Sequence, residues 1–137
     1  MIQLDEIFLK IASEEETIQF VKDTLQQELY SEGVDGAEYS ETTIDIKKRK
    51  GQPTDRVTLR DTGSFYDTWN VEATADRFII TSDPEKNGSS LFDKYNEDDV
   101  YKTMSEDVLR EINQFFNSRL AEILNIELYK TLGIWVL

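Results

Sequence analysis

The first third of the chain has the apolar spacing of amphipathic helices. Apolar side chains recur every three or four positions among the first twelve residues, at Leu4, Ile7, Phe8 and Ile11. This spacing predicts a short helix over residues 3–12. Ser13, with Glu16 three positions later, is a capping-box pattern that predicts a second helix, so that N-terminal helices extend over residues 1–30. The apolar stripe of the second helix lies at Ile18, Val21, Leu25 and Leu29.

Residues 40–51 carry the end signals of a further helix. Ser40 can cap its start, and Gly51 stands where a left-handed residue closes a helix. The cations of Lys47–Lys50 suit the negative end of the helix dipole. Thr42–Ile46 alternates as a strand would, and its two β-branched threonines weaken a helix. The capping signals at both ends favour a helix over a strand, and we predict a helix.

The next stretch is predicted as short connecting pieces. Gln52–Thr54 has the composition of a linker, and Val57–Leu59 that of a short extended segment. Asp61–Gly63 has the composition of a turn. Phe65 and Trp69 follow it, four residues apart on a short helical piece.

A β-hairpin pattern comes next. Apolar residues alternate with polar ones at Trp69, Val71, Ala73, Phe78 and Ile80. With a turn near Ala75 and Asp76, this alternation predicts an antiparallel hairpin over about residues 69–82. Asp83–Ser90 is predicted as an exposed polar loop. One helical turn follows before the acidic residues 96–99, with its apolar positions at Leu91, Phe92 and Tyr95.

The last long helix is predicted over residues 105–132. Ser105 caps its start, and Gly133 is its stop signal. Its wide apolar face consists of Val108, Ile112, Phe115, Phe116, Leu120, Ile123 and Leu124. The whole pattern indicates an α+β fold in one domain, residues 1–137, whose middle part, residues 39–82, combines a helix with the hairpin.

Charge is distributed unevenly along the chain. The net charge is −13 over 137 residues, but residues 39–60 carry six bases and three acids, whereas the segments on either side are each strongly acidic. A protein of this charge is not expected to coat itself with DNA, because phosphate binding needs clustered positive charge. The chain has no cysteine and no histidine, so the commonest metal ligands and the commonest general base are missing.

The basic residues of the central segment have three interpretations. They are Lys47, Lys48, Arg49, Lys50, Arg56 and Arg60. They could contact nucleic acid, form a solvated helix end that pairs with acidic neighbours, or dock on the acidic face of an adjacent identical subunit. The acidity of the rest of the chain favours the last two, and subunit contact is the functional hypothesis.

No pattern of residues predicts catalysis, a metal or a cofactor. Asp83–Gly88 resembles the start of a calcium loop, but the twelfth position is Lys94 where a bidentate glutamate is needed. Adjacent acids such as Asp98 and Asp99 are typical of a solvated face. Neither a nucleophile elbow nor a glycine-rich phosphate loop is present. We therefore do not expect an enzyme.

The chain end is unusually apolar. Residues 132–137 read Leu-Gly-Ile-Trp-Val-Leu, whereas chain ends normally fray into water. One interpretation is a final strand that folds back on the core. The other is an anchor that inserts into a neighbouring subunit, with Trp135 as its main contact.

Residues 39–69 carry a resemblance to a known family. They read YSETTIDIKKRKGQPTDRVTLRDTGSFYDTW. The stretch resembles the virion-morphogenesis proteins of tailed bacteriophages, the tail-completion or neck proteins, in the version found in phages of Bacteroidetes-type hosts. The positions that carry the resemblance are Tyr39, Ser40, Thr43, Ile44, Lys47, Leu59, Asp61, Thr62, Gly63 and Phe65, and Trp69 ends the stretch as a further scaffold residue. With the hairpin and the C-terminal helix, the likeness covers roughly residues 25–125.

The resemblance implies a structural virion protein. Such a protein would be a ring-forming head–tail connector or tail-completion subunit around the DNA channel, without catalytic residues or cofactors. Its partners would be copies of itself and the portal, neck or tail proteins of the phage. Genomic DNA would pass nearby without sequence-specific binding, and no membrane would be involved. Assembly would take place in the host cytoplasm, and the protein would be located in the virion.

A second hypothesis from a different class is a small acidic adaptor or DNA mimic that binds a basic partner. A DNA mimic is expected to space its acids along one elongated surface. Here the acids scatter through helix starts and turns, which favours the phage interpretation.

Overall fold

The computed structural model describes residues 4–74, 76–86 and 88–133. Its elements in chain order are α1 (Leu4–Ser13), α2 (Glu15–Glu32), α3 (Glu41–Arg49), α4 (Ser64–Asp67), β1 (Asn70–Ala73), β2 (Phe78–Thr81), β3 (Glu85–Lys86), β4 (Ser89–Ser90), α5 (Leu91–Lys94), α6 (Glu97–Tyr101) and α7 (Glu106–Leu132). The predicted α+β class is confirmed, because a small antiparallel sheet is flanked by N-terminal helices and by the long helix α7.

The main core forms where α2 packs against β1 and α7. The buried positions of α2 are Thr17, Val21, Leu25 and Leu29. Their four-residue spacing places one side chain per turn toward the core, and each fully buried Val or Leu contributes roughly 1.5–3 kcal/mol. Ile18, predicted as the first residue of this stripe, packs only partly buried against the core, and Thr17 takes the fully buried position.

The predicted hairpin is confirmed. Strands β1 and β2 pair antiparallel, with Val71 opposite Ile80 and Ala73 opposite Phe78. Val71 is buried because its side of the hairpin faces α2. Trp69 lies directly before β1 rather than in it, and its ring is 3% exposed.

Aromatic rings join the hairpin to the helices around it. The Trp69 ring packs edge-on against Phe65, with 5.9 Å between the ring centroids, and against Tyr101, with 4.9 Å. Edge-on aromatic pairs of this kind contribute about 0.5–1.5 kcal/mol beyond the burial of their surface. These rings therefore help to hold helices α4 and α6 to the core.

The capping box predicted at Ser13 is wrong. Ser13 is the last residue of α1, and Glu14 is the residue between the two helices, with φ −62° and ψ 136°. A residue in helical conformation does not take the extended backbone of an N-cap, so Ser13 is unavailable for that role. The Glu14 carboxylate does not cap α2 either, because Arg119 of α7 donates to it at 2.9 and 2.7 Å.

Three other parts of the chain differ from the sequence prediction. The loop predicted over Asp83–Ser90 contains the two-residue strands β3 and β4, which pair Glu85 with Ser90. Helix α6 was not predicted; Asn96 caps it, and three acids occupy its first turn. In the segment predicted as extended, Leu59 has φ 55°, which is left-handed and not extended.

A close backbone approach fixes the middle segment against the end of α2. A Cβ atom on Gly33 would lie 2.8 Å from the Cβ of Arg56 and 2.9 Å from the backbone nitrogen of Val57. The backbone N–H of Val34 donates to the Val57 carbonyl at 2.9 Å. Only glycine fits at position 33, because the contact is tight and its φ is +72°.

A smaller cluster joins α1 to α7. It consists of the buried Ile7, Ile11 and Ile123, with Phe116 and Leu120 packed against them. Within the described ranges, no helix combines the length and the apolar content needed to cross a membrane. Trp135 and the rest of residues 134–137 lie outside the described part of the chain, so both interpretations of the apolar end remain predictions.

Candidate assembly surface

Helix α3, which carries three of the six basic residues of the central segment, is closed at both ends as predicted. The Ser40 hydroxyl accepts the backbone N–H of Thr43 at 3.3 Å and donates to the Thr43 hydroxyl at 3.0 Å. Gly51 has φ +70°, and its N–H donates to the Lys48 carbonyl at 3.2 Å. The left-handed residue ends the helix directly after its basic run.

Asp61 ties the end of α3 to the turn that follows. Its Oδ1 accepts hydrogen bonds from Lys50 Nζ at 2.8 Å and from Gln52 Nε2 at 3.0 Å. The Gln52 amide also donates to the backbone carbonyl of Asp61 at 3.0 Å. The hydrogen bonds from Lys50 and Gln52 favour the ionised carboxylate and lower the pKa of Asp61 to about 2.

The turn sets up the short helix α4. The Thr62 hydroxyl accepts the N–H of Ser64 at 3.3 Å, and Gly63 has the left-handed φ of 87°. Helix α4 then places Phe65 in the core beside Trp69. The motif residues therefore cap, turn or pack, and act as scaffold.

One of the predicted contact residues is not on the surface. Lys47 is 8% exposed; its Nζ donates to Gln52 Oε1 at 3.3 Å and lies 4.7 Å from the centroid of the Tyr39 ring. The Tyr39 hydroxyl in turn accepts the N–H of Thr58 at 3.0 Å. Lys47 is therefore scaffold, which corrects its assignment as a subunit-contact candidate.

The two arginines after α3 are largely occupied by tyrosines. Arg56 Nε donates to the Tyr30 carbonyl at 2.8 Å, and Nη1 donates to Asp55 at 2.7 Å. The Arg60 guanidinium lies 5.1 Å from the Tyr30 ring centroid and 5.8 Å from that of Tyr66. Such cation–π contacts hold the segment against α2, although Arg60 remains on the exposed surface.

Burial also changes the pKa of the Tyr66 phenol. Its hydroxyl donates to the Thr58 carbonyl at 2.5 Å. Loss of solvation in this position raises the pKa of the Tyr66 phenol well above its usual range. The phenol therefore stays protonated and keeps its donor role.

Two of the six bases of the central segment have side chains without partners. Lys48 and Arg49 are exposed, and neither side chain forms a hydrogen bond or ion pair with any described residue. Ile46, 45% exposed, lies one helical turn before Arg49. We call Ile46, Lys48 and Arg49 the basic end of α3. Lys50 flanks it but is paired with Asp61.

A hollow lies beside the motif. It has a volume of about 480 Å³ and is lined in part by Leu59, Thr62, Phe65 and Lys86. Asp61, the perturbed carboxylate on its wall, is already bonded to Lys50 and Gln52. Among the described residues, no group of three or more histidines, cysteines or acids is arranged to hold a metal ion.

The sequence did not reveal the residues that determine which cations are buried or paired. Gln52, predicted as linker, bridges Lys47 and Asp61, and the tyrosines at positions 30, 39 and 66 occupy three of the bases. The available signal was the set of tyrosines around a basic segment. Comparison of the chain with protein-family models, with curated proteins and with solved structures gave no match. The surface is therefore interpreted from its own chemistry.

Proposed function

We propose that this protein is a structural subunit of a tailed-bacteriophage virion, a ring-forming head–tail connector or tail-completion protein around the DNA channel. The observation that carries the proposal is the connected scaffold of residues 39–69, the stretch that resembles the family. The scaffold presents the unpaired side chains of Lys48 and Arg49 at the exposed end of helix α3, in a chain whose net charge is −13. This arrangement suits contact between identical subunits better than it suits chemistry.

The charge distribution supports a position beside DNA without binding to it. A channel with a positive lining would bind phosphates and slow the passage of DNA, whereas an acidic lining repels them. A subunit with one basic end can direct its acids toward the lumen and its cations toward a neighbour. DNA then passes without sequence-specific contact.

The proposed partners follow from this role. They are further copies of the chain and the portal, neck or tail proteins above and below the ring. No cofactor and no catalytic step belong to the proposal. The protein would assemble in the host cytoplasm and remain at the head–tail junction or tail of the virion.

Quantitative mass spectrometry of purified virions tests the proposal. We expect the protein at a fixed copy number of about six or about twelve per particle, because a closed ring holds a whole number of identical subunits. Electron microscopy of the protein with purified neck partners should show rings. Absence from virions, with monomers only in the presence of those partners, would contradict the proposal.

The same experiments address the acidic adaptor or DNA mimic. In that case, the protein would be absent from virions and would bind a basic host protein. Duplex DNA would compete for that partner, because both ligands would use the same cationic surface.

A further inference from the structure

An aromatic groove lies between α2 and α7. The rings of Phe20 and Phe115 stack with 4.2 Å between their centroids and an interplanar angle of 13°, and both side chains are half-buried. The open groove beside them has a volume of about 650 Å³. It is lined by Glu15, Glu16, Gln19, Phe20, Asp23 and Phe115. We call this set the aromatic groove.

The acids of the groove are available for a partner. Glu15, Glu16 and Asp23 are exposed, and none of them forms an ion pair with a described residue. Asp23 only accepts a hydrogen bond from the neighbouring Gln19, at 2.7 Å. The groove therefore combines an apolar floor with an anionic rim.

The basic end of α3 also combines an apolar side chain with charged ones, but its unpaired charges are positive. Ile46 supplies an exposed apolar side chain, and the unpaired Arg49 lies one helical turn from it on the same face. The unpaired Lys48 lies on the other side of the helix end, about 160° around the axis from Ile46. Of the acids of α3, Glu41 lies about two turns before Arg49, whereas Asp45 lies one turn before Lys48 and Arg49. The two cations therefore outnumber the one acid at this end of the helix.

The two surfaces also match in spacing. On α2, Glu16 and Asp23 flank Phe20 at about one helical turn on either side. On α3, Arg49 lies one turn from Ile46. A helix end that places Ile46 over Phe20 therefore brings a cation within reach of the groove acids.

We propose that the aromatic groove binds the basic end of α3 of a second copy of this chain. Ile46 covers Phe20 and Phe115, Arg49 pairs with an acid of the groove beside them, and Lys48 meets the anionic rim from the other side of the helix end. The inference rests on the proposed function, because it names the contact through which the subunits of the ring would meet. The two surfaces share no residue, so the contact is heterologous, and its repetition closes a ring or extends a chain.

Cysteine cross-linking tests this contact, and the chain contains no native cysteine to interfere. One variant carries Ile46→Cys, and a second, made heavier by a tag, carries Gln19→Cys in the groove. After mixing and oxidation at low salt, we expect the mixed dimer in at least about tenfold excess over a control pair, because the docked surfaces hold the thiols together. The control replaces Gln19→Cys with Asn117→Cys, an exposed polar position about 200° around α7 from Phe115.

Charge reversal supplies the second arm. Glu15→Lys with Glu16→Lys in the groove partner should lower the yield of mixed dimer about tenfold, as should Lys48→Glu with Arg49→Glu in the other partner. Combining the two reversed partners should restore it. Circular dichroism of each variant confirms that it is folded. A mixed-dimer yield equal to the control, or no restoration by the combined reversals, would overturn the contact.

The outcomes separate this contact from the virion role. If the protein is found in virions at fixed copy number but the Ile46→Cys and Gln19→Cys variants do not cross-link, the contact is wrong and the virion role stands. If cross-linking occurs as expected but the protein is absent from virions, the self-contact stands and the virion role is wrong. A chain that stays monomeric in low salt at millimolar concentration overturns the contact.

Discussion

Asp61 shows how one side chain joins two segments that the sequence leaves apart. Its carboxylate receives Lys50 from the end of α3 and Gln52 from the linker, eleven and nine residues away. Its side chain is 33% exposed, so solvent screens the ion pair and limits its contribution to stability.

Asp61→Asn should change the pH dependence of stability. The pKa of this carboxyl is about 2 in the folded protein and about 4 in an unfolded chain. Its contribution is therefore present above about pH 4 and is lost as the pH falls toward 2. Because of screening, we expect the variant to lose about 1 kcal/mol or less at pH 7 and almost nothing at pH 2, measured by urea unfolding.

Asp67→Asn is the control for this measurement. Asp67 is exposed, and its side chain forms no hydrogen bond or ion pair with a described residue. We expect no difference from the parent protein at either pH. A loss at pH 7 as large as that of Asp61→Asn would contradict the assigned role of Asp61.

Neighbouring lysines in the basic run should respond differently to the same substitution. Lys47→Ala removes a buried stem and a cation–π contact with Tyr39, and we expect a loss of about 1–2 kcal/mol in unfolding free energy. Lys48→Ala should stay within about 0.5 kcal/mol of the parent, because Lys48 is exposed and unpaired. Equal effects in thermal unfolding would show that Lys47 is not a structural residue.

At the level of elements, the capping residues at the helix ends do more than the interior residues to determine where helices form. Helix α3 has a weak interior with two threonines, yet it forms because Ser40 and Gly51 close it. Helices α6 and α7 are likewise capped by Asn96 and Ser105. Helix α2 instead begins at Glu15, and the preceding Glu14 does not cap it with its side chain.

A pair of serine substitutions tests this difference. Ser40→Ala should lower the unfolding free energy by about 1 kcal/mol, because an N–H of α3 loses its acceptor. Ser13→Ala should be neutral or slightly stabilising, since Ser13 is helical and alanine favours a helix. Chemical denaturation of both variants measures the difference. A comparable loss for Ser13→Ala would restore the capping box that the structure contradicts.

For the whole molecule, the separation of charge is the dominant feature. A net charge of −13 coexists with a basic end that has no partner among the described residues. The acidic remainder repels phosphates, while the opposite charges of the basic end and the aromatic groove favour the proposed contact between copies.

Salt should therefore affect self-association and DNA binding differently. We expect no binding of duplex DNA in gel-shift assays at about 0.15 M salt. Self-association, followed by light scattering, should weaken as salt rises from about 0.05 to 0.5 M, because exposed ion pairs are screened. Tight DNA binding that falls steeply with salt would show that the basic residues contact phosphate instead.

The sequence by itself determined the elements whose signals are local. The period of apolar residues, the caps at Ser40 and Ser105 and the alternation of the hairpin act within about ten residues, so that α3, α7 and the β1–β2 pair were predicted correctly. The left-handed backbone of Leu59 and the five-residue helix α6 were not predicted. Both depend on packing against distant residues, which a short sequence pattern does not contain.

Only the tertiary structure decided which charged and aromatic side chains are available. Arg56 meets Tyr30 across 26 residues, Glu14 meets Arg119 across 105, and Phe20 meets Phe115 between two helices. Each residue type was visible in the sequence, but its partner was set by how the helices pack. A run of four adjacent cations thus became one buried lysine, one paired lysine and two free charges, because burial and pairing depend on neighbours distant in the chain.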